Sequence, residues 1–345
     1  MKKVYVGLSG GVDSAVSAAL LKESGYEVHG IFMKNWSRNI GGHKCLWQDD
    51  LASARSVAAH LQIPFEIYDF EKEYFEQVAE YMITTYKKGL TPNPDVMCNQ
   101  KIKFDTFYHK CLQQGADYVA TGHYAKIEPG RLGVARDSSK DQTYFLYRIN
   151  PDISDKILFP LGDIEKSEVR ELAKKYNLPN YSRKDSQGLC FVGNVPMKDF
   201  LSEFIKPKKG HIMDDEGHEV GEHNGAFTFT IGQRHGLGIG GGLPYFVYKI
   251  DTSNNIVYVT TDENSDLLNK KGFIINDCVW WSDIDEKNDY LVRVRYRSEL
   301  KEAKISKITS GSYRVELTKK ERAIAPGQSA VIYKDGCVVG GGIIN

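Results

Sequence analysis

The sequence predicts an α/β protein. It reads as an N-terminal domain on a parallel sheet, a small central β-rich domain and a C-terminal β-barrel. Three observations predict this. Short apolar runs alternate with helix-period segments through the first half of the chain. That alternation is the mark of a parallel sheet with helices on both faces. Near Lys206 the run "KPKKG" punctuates the pattern, as Pro and Gly do between structural units. Beyond it, helical periodicity gives way to strands bounded by glycines.

Taken in order, residues 4–8 form a buried strand. Residues 14–24 form a helix whose Ala15, Ala18, Ala19 and Leu21 share a small-residue face. Residues 27–33 are a second strand. Residues 46–61 are a helix with Leu51, Ala54, Val57, Ala58 and Leu61 on one side. Residues 65–70 are a third strand, with a helix after it to about Lys87. Residues 117–123 are a fourth strand and its exit turn. In the second half, "GAFTFTIGQRHGLGIGGGLPYFVYKID" reads as a glycine-rich loop between two strands, and four further strand stretches follow residue 271. The expected domains are 1–205, 206–270 and 271–345.

Composition narrows the function classes. Hydrophobic residues make up 41% and charged residues 26%, ordinary for a globular protein. No apolar run reaches membrane-spanning length, so no membrane partner is expected. The start of the chain carries no leader-like segment and reads as the first strand of a cytoplasmic protein. Lys plus Arg number 45, against 45 Asp plus Glu. That balance argues against a dedicated nucleic-acid binder and leaves room for local basic patches. The six cysteines, Cys45, Cys98, Cys111, Cys190, Cys278 and Cys337, show no CxxC spacing. A zinc site from a local cluster is not expected, and the thiols should be reduced.

The stretch with the most chemistry is "SGGVDS", residues 9–14, between the first strand and the first helix. Backbone N–H groups at a helix start make an anion site, and glycines let the backbone curl around phosphate oxygens. The P-loop lysine is missing, and the spacing is not that of a dinucleotide fingerprint. Asp13 has two readings. It holds Mg²⁺ against a nucleotide's phosphates, or it caps the helix. Ser9, Met33 and Gly122 all fall at carboxyl ends of strands, where open α/β sheets bind ligands. Taken singly, Met33 is also an ordinary core methionine and Gly122 an ordinary turn glycine.

Three later stretches add to this. In "TPNPDVMCNQKIKF", two prolines stiffen the chain around Asn93 before a helix that starts near Cys98. A thiol there is either an activated nucleophile or a small buried hydrophobe. In "RKDSQGLCFVG", Cys190 follows a polar loop, with Arg183 and Lys184 near enough in sequence to favour a sulfur anion. In "VRVRYRS", Arg293, Arg295 and Arg297 alternate, so a strand would put them on one face. That face suits a phosphate backbone or is simply a solvated edge.

The run "SGGVDS" after an N-terminal strand resembles the PP-loop of ATP pyrophosphatases, which cleave ATP to AMP and pyrophosphate. With "TPNPDVMCN", "ADYVATGHYA", "KDQTYFL", "DSQGLCF", "FTIGQRHGLG" and "RVRYR" in order, nearly the whole chain resembles the bacterial tRNA-specific 2-thiouridylases. The resemblance implies a tRNA-uridine 2-sulfurtransferase. Such an enzyme adenylates the C2 oxygen of the wobble uridine with ATP and Mg²⁺, then replaces it with sulfur. It implies ATP contacts at Gly7, Leu8, Ser9, Gly10, Gly11, Val12, Asp13, Ser14, Met33 and Gly122, with Asp13 facing the metal. It implies that Asn93 and Pro94 meet the target base and that Asp95 acts on it as acid or base. tRNA contacts are implied at His123, Lys140, Asp141, Gln142, Arg295, Tyr296 and Gln328. Cys190 would receive sulfur as a persulfide from a donor protein. Cys98 would resolve it, leaving a Cys98–Cys190 disulfide to be reduced. The chain is expected to be a monomer. Two rivals stand beside this: another PP-loop enzyme adenylating a small molecule, and a non-catalytic RNA-binding module.

Overall fold

The structure, a computed structural model, describes residues 1–184, 193, 195–240 and 242–345. These form two compact units. The first is Met1–Ala79 with Pro94–Val195 and Asp335–Val338; the second is Glu80–Asn93 with Pro196–Lys334 and Val339–Asn345.

The first unit is built on strands β1 (Lys3–Gly7), β2 (Glu27–Lys34), β3 (Phe65–Asp69), β4 (Tyr118–Ala120) and β7 (Ile157–Leu158), all parallel, in the order β3-β2-β1-β4-β7. A short hairpin, β5 (Lys126–Glu128) and β6 (Arg131–Gly133), lies between β4 and β7 in sequence, and β6 pairs with Cys337 and Val338. The central strand β1 is buried along Tyr5, Val6 and Gly7, as an apolar run with helices over both faces should be. Helix α1 (Val12–Glu23) is buried at Ser14, Ala15, Val16, Ser17, Ala18 and Ala19 in succession. Only small side chains allow a helix to sit that tightly, which is why its sequence is Ala/Ser-rich. Helix α2 (Trp47–Leu61) is amphipathic and buries the five residues expected of it. The helix Lys166–Lys175 opens on a capping box between Glu165 and Glu168, and packs against α1. Val4, Val6, Val16, Ala54, Val57 and Val169 join one core. Strand β7 is absent from the sequence reading: two residues carry no periodic signal.

In the second unit, β8 (Gly210–Met213), β9 (Glu219–His223), β10 (Phe246–Asp251) and β11 (Ile256–Thr260) form a sheet ordered β10-β11-β8-β9. It covers Ile212, Phe229, Val247 and Val257. The glycine-rich loop is flanked by a strand on its far side only: Ala226–Thr228 is a 3₁₀ turn. Strands β12 (Asn269–Trp280), β13 (Tyr290–Arg293), β14 (Lys301–Thr309), β15 (Ser312–Arg322), β16 (Ser329–Lys334) and β17 (Cys337–Ile344) follow. They run in the order β12-β15-β14-β13-β16-β17, and β12 also pairs with β17. That last pairing closes a six-stranded barrel around Ile275, Val292, Ile305, Val315, Leu317 and Ile332. Closure leaves no edge strand.

Candidate functional site

The strand order reverses direction between β1 and β4, so the crevice beyond their carboxyl ends is the switch point where such sheets bind ligands. Residues 9–14 leave β1 there. Gly10 sits at φ +81°, and a Cβ on it would lie 2.4 Å from the Asp50 carbonyl oxygen. Only glycine meets both conditions. Within the loop, Ser14 Oγ donates to Gly11 O at 3.1 Å and accepts from Ser9 N at 3.2 Å, while Gly11 N donates to Ser9 Oγ at 3.3 Å. Gly122, just past β4, closes on this loop: its missing Cβ would lie 2.7 Å from Ser14 N and 2.8 Å from the Asp13 carbonyl carbon. Met33 ends under Gly7, its methyl 3.0 Å from where a Cβ would be. Gly7, Leu8, Ser9, Gly10, Gly11, Val12, Asp13, Ser14, Met33 and Gly122 are therefore neighbours at one sheet edge.

Asp13 does not cap its helix; Gly11 occupies that position. Its carboxylate receives the Lys166 ammonium at 2.7 Å and 2.9 Å, and the Tyr124 hydroxyl at 2.8 Å. The loop at residues 9–14 holds an acid and no basic residue of its own. The base is supplied from 153 positions away. These donors occupy the carboxylate, and no cluster of three His, Cys, Asp or Glu side chains suited to a metal exists among the described residues. The arrangement does not fit a metal held by Asp13, because a cation already sits on both oxygens. Nothing local in the sequence marks Lys166 or Tyr124 as members of the site.

The outer side of the loop is also fixed. The Gly10 carbonyl accepts from Ser53 Oγ at 2.7 Å, Asn180 Nδ2 at 2.9 Å and Arg183 Nη1 at 3.2 Å. Arg183 also pairs with Asp50 through Nη2. Its guanidinium, near Cys190 in sequence, thus meets the loop and Asp50. Burial pushes the Asp50 carboxyl above its usual range, and Arg183 opposes that rise.

Cys98 lies in a continuous helical stretch, after the turn Pro94–Met97 and at the head of the wide-turned segment Cys98–Phe107. It is fully buried, and Asn99 beside it donates from Nδ2 to Phe145 O at 3.2 Å. Asp95 is half-buried. Cys190 lies outside the described residues. Cys111 is buried, and burial pushes its thiol far above the range in which it reacts.

The residues read as tRNA contacts fall into three groups. His123 is buried between Phe104 and Phe159, with Lys103 Nζ at 3.2 Å from Nε2 and Thr121 Oγ1 at 2.7 Å from Nδ1. Burial, then the Lys103 charge, holds its pKa well below the ordinary histidine value. Asp141 is buried and accepts from Ala135 N at 3.0 Å and Thr143 Oγ1 at 2.7 Å; Gln142 Oε1 accepts from Tyr124 N at 2.9 Å. Lys140 beside them is half-buried. In the second unit, Gln328 Nε2 donates to Pro92 O at 3.3 Å and Thr91 N to Pro326 O at 2.8 Å, which brings the turn before Asn93 to the Gln328 turn. The arginine row does not form. Strand β13 stops at Arg293, and the chain turns through Arg297 at φ +64°. Arg295 there donates to Glu321 at 3.2 Å and to Arg322 O at 3.1 Å. Tyr296 packs under the Arg297 guanidinium.

Three family models match in order: tRNA methyl transferase HUP domain over residues 2–194, tRNA methyl transferase PRC-barrel domain over 198–261, and aminomethyltransferase beta-barrel domain over 270–344. The tRNA-specific 2-thiouridylase MnmA of Francisella tularensis subsp. novicida is 42% identical over 99% of both chains. Its namesake in Francisella philomiragia is likewise 42% identical over 99% of both. A solved 4-thiouridine synthetase–RNA complex with bound ATP aligns at TM-score 0.41 and 18% identity, covering 56% of this chain and 46% of that one; so faint a likeness has no bearing on the assignment. On the full-length matches, this chain belongs to the family of the tRNA-specific 2-thiouridylases.

Proposed function

We propose that the protein is an ATP-dependent tRNA 2-thiouridylase acting on the wobble uridine. The observation that carries this reading is the 42% identity, over 99% of both chains, to a relative of that name. The loop at the switch point supports it. Uracil O2 is a poor leaving group, and transfer of AMP to it, with loss of pyrophosphate, makes it a good one. Residues 9–14 would hold the pyrophosphate part of ATP on N–H groups at the start of α1, stabilising charge as it develops. Asp13 would anchor Lys166 beside those phosphates. Any Mg²⁺ would arrive with the nucleotide and not on a preformed carboxylate site. Gly122 and Met33 would border the nucleotide.

Sulfur would come from a donor protein as a persulfide on Cys190. Its terminal sulfur attacks C2 and AMP leaves. The Cys98 thiolate then attacks the Cys190 sulfur, releasing 2-thiouridine and leaving a Cys98–Cys190 disulfide, which an external dithiol reduces. In this scheme Asp95 moves the proton at the base, with Asn93 and Pro94 holding it. Because Cys98 is fully buried, the resolving step requires its helix turn to open toward the base. His123, Lys140, Asp141, Gln142, Arg295, Tyr296 and Gln328 stay proposed for tRNA. Asp141 and Gln142 do so as supports of their turn, since their side chains serve backbone groups. We further read the chain as a cytoplasmic monomer divided at 205 and 270. Among the described residues no helix is long and apolar enough to cross a membrane.

The family description "tRNA methyl transferase" names a second reaction. Methyl transfer needs neither cleavage of ATP to pyrophosphate nor a resolving thiol, so the loop favours thiolation. Mass spectrometry of tRNA nucleosides from a deletion strain decides. Loss of 2-thiouridine is expected, and unchanged 2-thiouridine with loss of a methylated base would overturn the proposal.

A further inference from the structure

We infer that Arg183, with Asn180 and Ser53, is a positioning residue that holds the Gly10–Gly11 peptide in its anion-accepting orientation. The inference rests on the reading of residues 9–14 as the pyrophosphate cradle.

A peptide group is planar and trans, so the direction of the Gly10 carbonyl sets the opposite direction of the Gly11 N–H. Rotating this peptide changes ψ of Gly10 and φ of Gly11. Both residues are glycine, so no Cβ opposes the rotation. The flipped form would point a carbonyl oxygen into the cradle, where it repels phosphate. From inside the loop the Gly11 N–H has one long contact, to Ser9 Oγ at 3.3 Å; donors outside the loop, on the Gly10 carbonyl, select the same orientation. Three donors do so here. A carbonyl has two lone pairs, and this one faces Ser53 Oγ at 2.7 Å, Asn180 Nδ2 at 2.9 Å and Arg183 Nη1 at 3.2 Å. Flipping would strand all three.

Arg183 is the charged donor of the three, and a polarised carbonyl makes its own peptide N–H a better donor. Its placement is determined on every side. Asp50 of α2 takes the other arm of the guanidinium. Arg183 N donates to Asn180 O at 2.9 Å, and its carbonyl accepts from Arg170. Arg170 lies one turn after Lys166 on the helix Lys166–Lys175. One helix thus serves both sides of the loop: Lys166 the inner side through Asp13, Arg170 the outer side through Arg183.

The test is calorimetric binding of ATP, inorganic pyrophosphate and AMP to the full chain and to Arg183→Gln. AMP lacks the group the cradle holds. Arg183→Gln should bind ATP and pyrophosphate about tenfold more weakly and AMP as the unchanged protein does. Asn180→Ala is the second variant. Combined with Arg183→Gln it should cost less than the product of the two single effects, since both residues act on one carbonyl. Equal weakening of AMP and pyrophosphate would reduce Arg183 to general structural support and overturn the inference. So would unchanged pyrophosphate binding in folded Arg183→Gln. If the unchanged protein binds no ATP, the reading of the cradle itself fails, and this inference with it.

Discussion

If Asp13 works by holding Lys166, removing either should cost the same activity, and removing both should cost little more. The structure allows an estimate. Lys166 Nζ lies 2.7 Å and 2.9 Å from the two Asp13 oxygens, and the side chains are 14% and 30% exposed. Hydrogen bonds to charged groups contribute about 1.5–3 kcal/mol. Partial exposure places this pair at the low end, about 1.5 kcal/mol. Over a unit of this size that corresponds to a loss of roughly 3–6 °C in melting temperature for Asp13→Asn. Lys166→Met should come close to it, since it removes the same ion pair and leaves only the Tyr124 hydrogen bond on Asp13 in place. The assay is pyrophosphate release from ATP with tRNA present, beside a thermal melt of Asp13→Asn, Lys166→Met and the double variant. Both single variants should lose most of the release. The double should be no worse than the weaker single, giving a coupling comparable to either effect. An acid that acts alone on a metal gives another pattern: Asp13→Asn is inactive, and Lys166→Met keeps near-normal release. That result would refute the pairing argument and return Asp13 to metal binding.

Three further outcomes are expected. Cys190→Ser should still release pyrophosphate with tRNA but form no thiolated product, and Cys98→Ser should accept a persulfide and stall. Cys111→Ser should behave as the unchanged protein, since burial holds that thiol protonated; intact-protein mass spectrometry beside a count of thiolated tRNA separates the three, and a persulfide mainly on Cys98 would reverse the assignment. Arg295→Ala should weaken tRNA binding and reduce the salt slope by about one, with Glu321→Gln as control for the lost ion pair; an unchanged slope makes Arg295 a purely structural partner of Glu321. His123 is neutral in the folded protein, with its pKa below the unfolded value. The unfolded chain therefore binds the extra proton first, and His123 costs stability as pH falls below about 6.5, by up to roughly 1.4 kcal/mol per pH unit. Urea unfolding between pH 7 and 5 should show a smaller acid loss for His123→Gln, and parallel curves would place the acid sensitivity elsewhere.

Much of the first unit was legible because its signals are local. Strands β1, β2 and β3 and helices α1 and α2 lie within a residue or two of their expected ranges, since burial on both faces demands apolar runs and a tightly packed helix demands small residues. Strand β7 was not legible: two residues, Ile157 and Leu158, are held only by pairing with Val119 and Ala120. Strand β14, nine residues with charges at Lys301, Glu302, Lys304 and Lys307, was missed because its outer face is solvated and dilutes the apolar signal. The arginine alternation misled, because strand β13 already ends at Arg293 within the motif, and the chain then turns, with Arg297 at positive φ.

By itself, the sequence determined the α/β class, the change of architecture near Lys206, and the glycine–serine loop at the first strand's exit. Each is encoded in residues a few positions apart. The tertiary structure alone decided what that loop's acid meets. Lys166 reaches Asp13, and Asn180 and Arg183 reach Gly10, across 153 to 173 positions. Pairing of β12 with β17 closed the barrel in the same way. Such contacts follow from where the sheet order places each strand end. Charge and hydrogen bonding act through space, so partners brought together only by folding leave no periodic trace along the chain.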